Sequence, residues 1–241
     1  MGEFAASILS RLHTTSPYDG FDYRNYQLDL QGGGGREVMK QVFDALNPKL
    51  IVEVGTWKGG SACFWAKLMK ERGIDGAVVC IDTWLGGLDH ITRPKGAEWQ
   101  IKKYWKHGYS TLYYQFLANV MHEGLQDYIV PVPTTSAIGA RWLQAQNLVS
   151  DIAYIDASHD EDDVYEDMKG YWKTLRNGGI MCGDDWDTAW FGVICAVNRF
   201  AKEKELNLQI APPTWVLQKT LSSESQLVLN LIGQQLQALK K

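Results

Sequence analysis

Five short apolar runs alternate along this chain with segments of helical periodicity, and that alternation limits its possible folds more than any other feature. The runs are Leu50-Ile-Val-Glu-Val54, Ala77-Val-Val-Cys-Ile-Asp82, Tyr128-Ile-Val-Pro-Val132, Asp151-Ile-Ala-Tyr-Ile-Asp156 and Gly179-Ile-Met-Cys-Gly-Asp184. Each reads as a buried strand. Helices are expected over residues 38–46, 61–72, 137–146, 161–175 and 189–204. Strands that alternate with helices imply βαβ units and a mainly parallel sheet. The series closes differently. Leu206–Ile210 and Trp215–Gln218 are strand-like and joined by Ala211-Pro-Pro-Thr214. A link that short cannot make a parallel crossover, so these two strands are expected to pair antiparallel.

At 241 residues the chain is long enough for one α/β domain and too short to require two. The expected division is an N-terminal helical or lid segment (1–49), a core (50–220) carrying an insertion (84–125), and a C-terminal amphipathic helix (221–241). Residues 84–125 hold Trp84, Trp99, Tyr104, Trp105, Tyr109, Tyr113, Tyr114 and Phe116. Most of these aromatics are expected to pack on the core, and part of the insertion to cover a site. The formal net charge is −4, with no basic run, so nucleic acid is not an expected partner. Cys63, Cys80, Cys182 and Cys195 are widely spaced and are expected to be reduced thiols, mostly buried. No signal peptide or membrane span is legible, which makes a cytoplasmic protein the expectation. A homo-oligomer through the C-terminal helix is compatible with the pattern.

Function is legible at the strand ends, because in open parallel sheets ligands bind beyond the carboxyl ends of the strands. The first strand runs into Glu53-Val-Gly55-Thr56-Trp-Lys58-Gly59-Gly60-Ser61 and then a helix. A glycine turn of this kind offers backbone N–H groups to a polar ligand. A P-loop would need lysine after the glycines, and here Lys58 precedes them. The dinucleotide fingerprint would need glycine where Trp57 stands. A ligand that needs close backbone approach but no phosphate cradle is left.

The pattern acid-x-Gly-x-x-x-Gly resembles the first motif of class I S-adenosylmethionine-dependent methyltransferases. That resemblance implies a Rossmann-like fold, with a seven-stranded, mainly parallel sheet, an antiparallel C-terminal hairpin and helices on both faces. It also implies a cofactor set. Glu53 would lie near the methionine ammonium, while Gly55, Thr56 and Gly59 would form the turn that the ligand approaches. Ser61 would cap or contact at the helix start, Asp82 would accept from the ribose hydroxyls, and Ser136 would sit near the adenine.

Two further strands end in acid: Asp156 is followed by Ala-Ser-His159, and Asp184 by Asp185. If these strands are neighbours, three carboxylates share one rim. They repel unless a cation lies between them, and oxygen ligands suit Mg²⁺, Ca²⁺ or Mn²⁺. His159 beside them is a candidate base. Ile155-Asp156-Ala-Ser-His159-Asp and Gly178-Gly-Ile-Met-Cys-Gly-Asp184-Asp185-Trp186 resemble metal-dependent O-methyltransferases of natural-product biosynthesis, of the macrocin and mycinamicin type, a layout shared with cephalosporin hydroxylase-like proteins. The resemblance implies that Asp156, Asp184 and Asp185 bind Mg²⁺ and that His159 is the general base. It points to a small hydroxylated acceptor, such as a sugar or a polyketide-like molecule. Trp186 and Trp190 could floor the acceptor pocket or pack in the core. His90, His107 and His122 are expected to be structural. The rival functions are a metal-dependent hydroxylase on the same scaffold, which would want two histidines and a carboxylate for its iron, and a non-catalytic cofactor-binding module.

Overall fold

The central strand β1 (Leu50–Val54) is buried at every position. A strand covered on both faces must be apolar throughout, and Glu53 is the one exception in this run. The computed structural model describes residues 2–32, 35–94 and 97–219; the expected C-terminal helix lies outside them. Before β1 come α1 (Glu3–Leu9) and α2 (Arg36–Leu46). After it run α3 (Gly60–Glu71), β2 (Ala77–Asp82), α4 (Leu88–Thr92) and a two-residue ribbon, β3 (Trp105–Lys106) and β4 (Tyr109–Ser110). Then follow α5 (Leu112–His122), β5 (Ile129–Pro133), α6 (Ser136–Ala145), β6 (Ser150–Ile155) and α7 (Glu161–Trp172). The chain continues through β7 (Leu175–Gly183), α8 (Phe191–Glu203), β8 (Leu208–Ala211) and β9 (Thr214–Gln218).

The main sheet has seven strands in the order β5-β2-β1-β6-β7-β9-β8. The first five run parallel, and β9 pairs antiparallel with both β7 and β8. The expected fold class is thus the observed one. Period-2 alternation divides the strand residues between two apolar layers. Ile51, Ile152, Tyr154, Ile180 and Cys182 pack with Met39, Phe43, Trp65 and Phe116 on one face. Val52, Val54, Ala153, Ile155 and Met181 pack with Ile8, Leu143, Met168 and Phe200 on the other.

Several boundaries shift. The strand expected at 179–184 begins at Leu175, and the helix expected from 189 opens with a 3₁₀ turn, Thr188–Trp190. The insertion is a short α4, a 3₁₀ turn (Ile101–Tyr104), the β3–β4 ribbon and α5. Its Trp84 and Phe116 are buried as expected, but Trp105 and Tyr109 are exposed. No described helix is long and apolar enough to cross a membrane. Cys63, Cys80 and Cys182 are buried, and none of the four cysteines is disulfide-bonded.

This topology places the site. From β1 the chain builds outward through β2 to β5, then returns to lay β6 on the other flank of β1. Connections leave in opposite directions at the β1–β6 junction, so a crevice opens beyond its carboxyl end.

Candidate functional site

The crevice is a cavity of about 780 Å³, and most of the acids anticipated from the strand ends line it. At one end lies the turn between β1 and α3. Gly55 sits at φ +84°, and a Cβ there would stand 2.5 Å from Ala157 Cα and closer still to the Asp156 carbonyl oxygen. Glycine is therefore required because the β1 and β6 loops touch. Gly59, at φ +86°, serves a different purpose. A Cβ on it would meet the Phe116 ring at 3.0 Å, away from the cavity, so this residue lets α3 start against α5.

Glu53 is fully buried behind Ser61, and Ser61 lines the cavity. The expected capping role of Ser61 is not what the structure displays. Its hydroxyl donates to Glu53 Oε1 at 2.8 Å, and α3 has no side-chain N-cap bond. Glu53 Oε2 has no hydrogen-bond partner among the described residues. Burial pushes the Glu53 carboxyl up to about 8, aided by the Asp82 charge.

The Glu53 shift carries a stability consequence. The folded chain keeps a proton on Glu53 that the unfolded chain releases above its ordinary value of 4.5. Stability from this group is therefore complete below that value and is lost as pH rises toward 8, by roughly 1.4 kcal/mol per pH unit. The Glu53→Gln variant keeps shape and hydrogen-bond acceptor without the proton. In urea unfolding between pH 5 and 9, the wild-type chain is expected to lose stability relative to this variant as pH rises. A parallel pH dependence for the two would contradict that assignment.

Asp82 ends β2 with its carboxylate folded back onto the turn. Oδ2 accepts from the backbone N–H groups of Thr56 and Trp57 at 2.9 and 2.8 Å, and Oδ1 from that of Trp84 at 2.7 Å. Its first duty is to hold the β1–α3 turn in shape. The Thr83 backbone N–H also acts on this carboxylate, so a ligand would share acceptor oxygens that the turn already uses. Ser136 opens α6 on the cavity wall, where its carbonyl accepts from Tyr171 O–H at 2.7 Å.

Beyond the ends of β6 and β7 the wall also carries Asp156, Ser158, His159, Asp184, Asp185 and Trp190. Parallel pairing of β6 with β7 puts Ile155 beside Gly183, which brings the following acids to one rim. Burial, and then the Asp185 and Asp184 charges, hold the Asp156 carboxyl well above the usual carboxylate range. No three acidic, histidine or cysteine side chains among the described residues form a ready-made metal cluster. Asp185 Oδ2 is instead turned to His159, 2.9 Å from Nε2. The donor set is still one of hard oxygens, suited to Mg²⁺ or a similar cation.

His159 Nδ1 lies 2.6 Å from Asp89 Oδ2, and the imidazole stacks on Trp190 with centroids 3.8 Å apart. Burial alone would lower the His159 pKa. The hydrogen bonds and charges of Asp185 and Asp89 outweigh burial and raise it.

Sequence reasoning missed part of this wall. Asp89, His90 and Arg93 of the insertion and Asp167 of α7 also line the cavity. His90 was expected to be structural, yet it stacks on Trp57 at 4.3 Å beside the cavity. Burial pushes it down to about 4. No local motif marks these residues, because their partners lie far away in sequence. Both tryptophans after the acidic pair pack on the core, and Trp190 also lines the cavity.

Residues 52–186, more than half of the chain, match a family model described as a methyltransferase domain. No curated protein matches the sequence. Among solved structures, the calicheamicin methyltransferase CalS11 aligns with a TM-score of 0.56 at 18% identity, covering 89% of this chain and 91% of that one. The O-methyltransferase NovP aligns at 0.56 and 16% identity, covering 78% and 81%. An O-methyltransferase from Bacillus cereus, solved in complex with SAH, aligns at 0.53 and 15% identity, covering 80% and 84%. At these identities the likeness establishes a common fold.

Proposed function

This chain belongs to the methyltransferase-domain family, and from that premise we propose that it is an S-adenosylmethionine-dependent O-methyltransferase. Its acceptor is a hydroxyl on a small natural product, a sugar or a polyketide-like molecule, and a divalent cation assists. The observation that carries the reading is one cavity bordered by two chemically distinct groups of residues: a glycine turn backed by a buried acid, and a histidine with three aspartates. The B. cereus relative was solved with SAH, and CalS11 is a calicheamicin methyltransferase, which supports both the donor and the acceptor class.

When bound, S-adenosylmethionine supplies a methyl group already activated on a sulfonium. The chain's task is therefore alignment and proton removal. Glu53, with an unpartnered buried oxygen, would face the methionine ammonium from behind Ser61, and that positive charge would favour loss of its proton. Gly55 and Thr56 would offer close backbone approach, Asp82 would accept from a ribose hydroxyl, and Ser136 would lie near the adenine. Asp156, Asp184 and Asp185 would hold the cation, which would lower the pKa of the acceptor hydroxyl. With Asp185 turned to the cation and the ring in its neutral, Nδ1–H form, its Nε2 proton released to solvent, His159 Nε2 would take the hydroxyl proton, and the neighbouring carboxylates favour the imidazolium that results. Asp82, Asp89, Asp160, Asp163, Glu166 and Asp167 also line the cavity, against Arg93. This acidic wall disfavours a polyanionic acceptor.

The test has two stages. Calorimetry with S-adenosylhomocysteine should give saturable binding. Radiolabelled methyl transfer to a panel of glycosylated and hydroxylated small molecules should then require Mg²⁺ and stop with EDTA. His159→Ala should lower turnover ~10²-fold with S-adenosylhomocysteine affinity unchanged. A chain that binds no S-adenosylhomocysteine would end this reading.

A further inference from the structure

Asp89 belongs to no motif, yet it makes the shortest hydrogen bond on the His159 ring, 2.6 Å between Asp89 Oδ2 and His159 Nδ1. An imidazole has two ring nitrogens, and a partner on one determines where the other points and which carries the proton. Trp190 covers one ring face at 3.8 Å with planes 22° apart, so the ring cannot swing out of that plane without leaving the indole. Asp89 and Trp190 together leave Nε2 a single direction, toward Asp185 in the cavity.

The origin of Asp89 makes this more than a local contact. It stands on α4, a five-residue helix of the insertion, 70 positions before His159. The next residue, His90, faces the glycine turn. Its ring stacks on Trp57 of the glycine turn, 4.3 Å between centroids and 17° between planes. His90 Nδ1 also accepts from the Gly87 N–H at 3.0 Å, which closes the start of the helix. One short helix thus rests on the turn that would bind the methyl donor and reaches the ring that would take the proton. The Asp89 side chain is 38% exposed, so the ion pair is screened and contributes little to stability. Its consequence is direction.

We propose that Asp89 is a positioning residue: seated on the glycine turn through His90, α4 delivers a carboxylate that holds His159 Nδ1 and aims Nε2 at the acceptor site. This rests on the reading of His159 as the proton acceptor. It adds that the insertion sets the base, so that a formed donor site and an aligned base go together.

The test uses the full chain labelled with ¹⁵N-histidine, free and saturated with S-adenosylhomocysteine, with His159→Gln to assign the signal. In the wild type, His159 should give a protected Nδ1–H resonance and a single tautomer or imidazolium pattern. Asp89→Ala should lose that protection and average the two nitrogens. Asp89→Asn, which keeps an acceptor oxygen, should restore most of it. Both variants should melt within ~2 °C of wild type, as a screened pair implies, and bind S-adenosylhomocysteine within threefold. His159 signals in Asp89→Ala that coincide with wild type overturn the proposal. Should Asp89→Ala fail to fold, His90→Ala loosens α4 without touching His159 and should weaken the same resonance; an unchanged resonance there overturns it equally. Failure of the wild type to bind S-adenosylhomocysteine would instead remove the methyltransferase reading, a distinct outcome that the free-protein spectra do not depend on.

Discussion

Asp156→Asn is expected to abolish cation-dependent methyl transfer, by at least ~10³-fold, while S-adenosylhomocysteine binding stays within threefold. The reason lies in the electrostatics of the rim. Asp156 is withdrawn from bulk water beside Asp185 and Asp184, and their charges add to burial in keeping it protonated. A divalent cation would reverse that preference by supplying the missing positive charge, and an amide cannot replace the charged ligand. Metal assistance contributes several kcal/mol to a reaction of this kind, and each 1.36 kcal/mol is about tenfold in rate. A second readout needs no acceptor. In the metal-free protein the substitution removes a repelled carboxyl, so the melting temperature should hold or rise. The stabilisation that Mg²⁺ gives the wild type should vanish. If the variant still transfers methyl groups with undiminished Mg²⁺ dependence, the aspartates do not hold the cation.

Gly55→Ala is expected to be the most damaging single methyl addition to the turn. Two costs combine. The residue sits at φ +84°, where a Cβ costs about 1 kcal/mol or more. The added carbon would also overlap the backbone of Asp156 and Ala157, which directly follows β6 and cannot yield as a flexible side chain would. A total above ~4 kcal/mol is a large share of the 5–15 kcal/mol that holds a typical domain. It corresponds to a melting temperature lower by about 10 °C for a chain of this size. Gly20 supplies the control. Its φ is +73°, but nothing lies within 4 Å of an added Cβ. Gly20→Ala should therefore cost only the conformational part, about 1 kcal/mol. Equal melting temperatures for the two variants would show that the β1–β6 contact does not constrain Gly55.

The strand ends illustrate what can be read from one chain. Apolar runs such as Ile51–Val52 and Ile152–Ala153 report their own burial, and the short link before Trp215 forces an antiparallel return. The acids at 53, 82, 156, 184 and 185 then follow to one edge, because strand direction and strand adjacency are enough to place them. Their individual duties were less legible. Asp82 reads as a ligand acceptor, yet it spends three acceptor sites on backbone N–H groups. Ser61 reads as a cap or a ligand contact at the helix start, and of these it makes no cap but holds Glu53. Gly59 reads as a cofactor contact, yet it makes room for Phe116. In each case the deciding atom belongs to a different segment.

The alternating pattern of apolar runs by itself determined the parallel sheet, its antiparallel finish and the edge on which the chemistry gathers. These follow from hydrophobic periodicity and connection length, which are local properties. Only the tertiary structure decided that Asp89 and Trp190 frame His159, that His90 rests on Trp57, and that Asp185 faces a histidine. Those pairings join residues tens of positions apart, and a contact between distant segments leaves no periodicity for a single sequence to display.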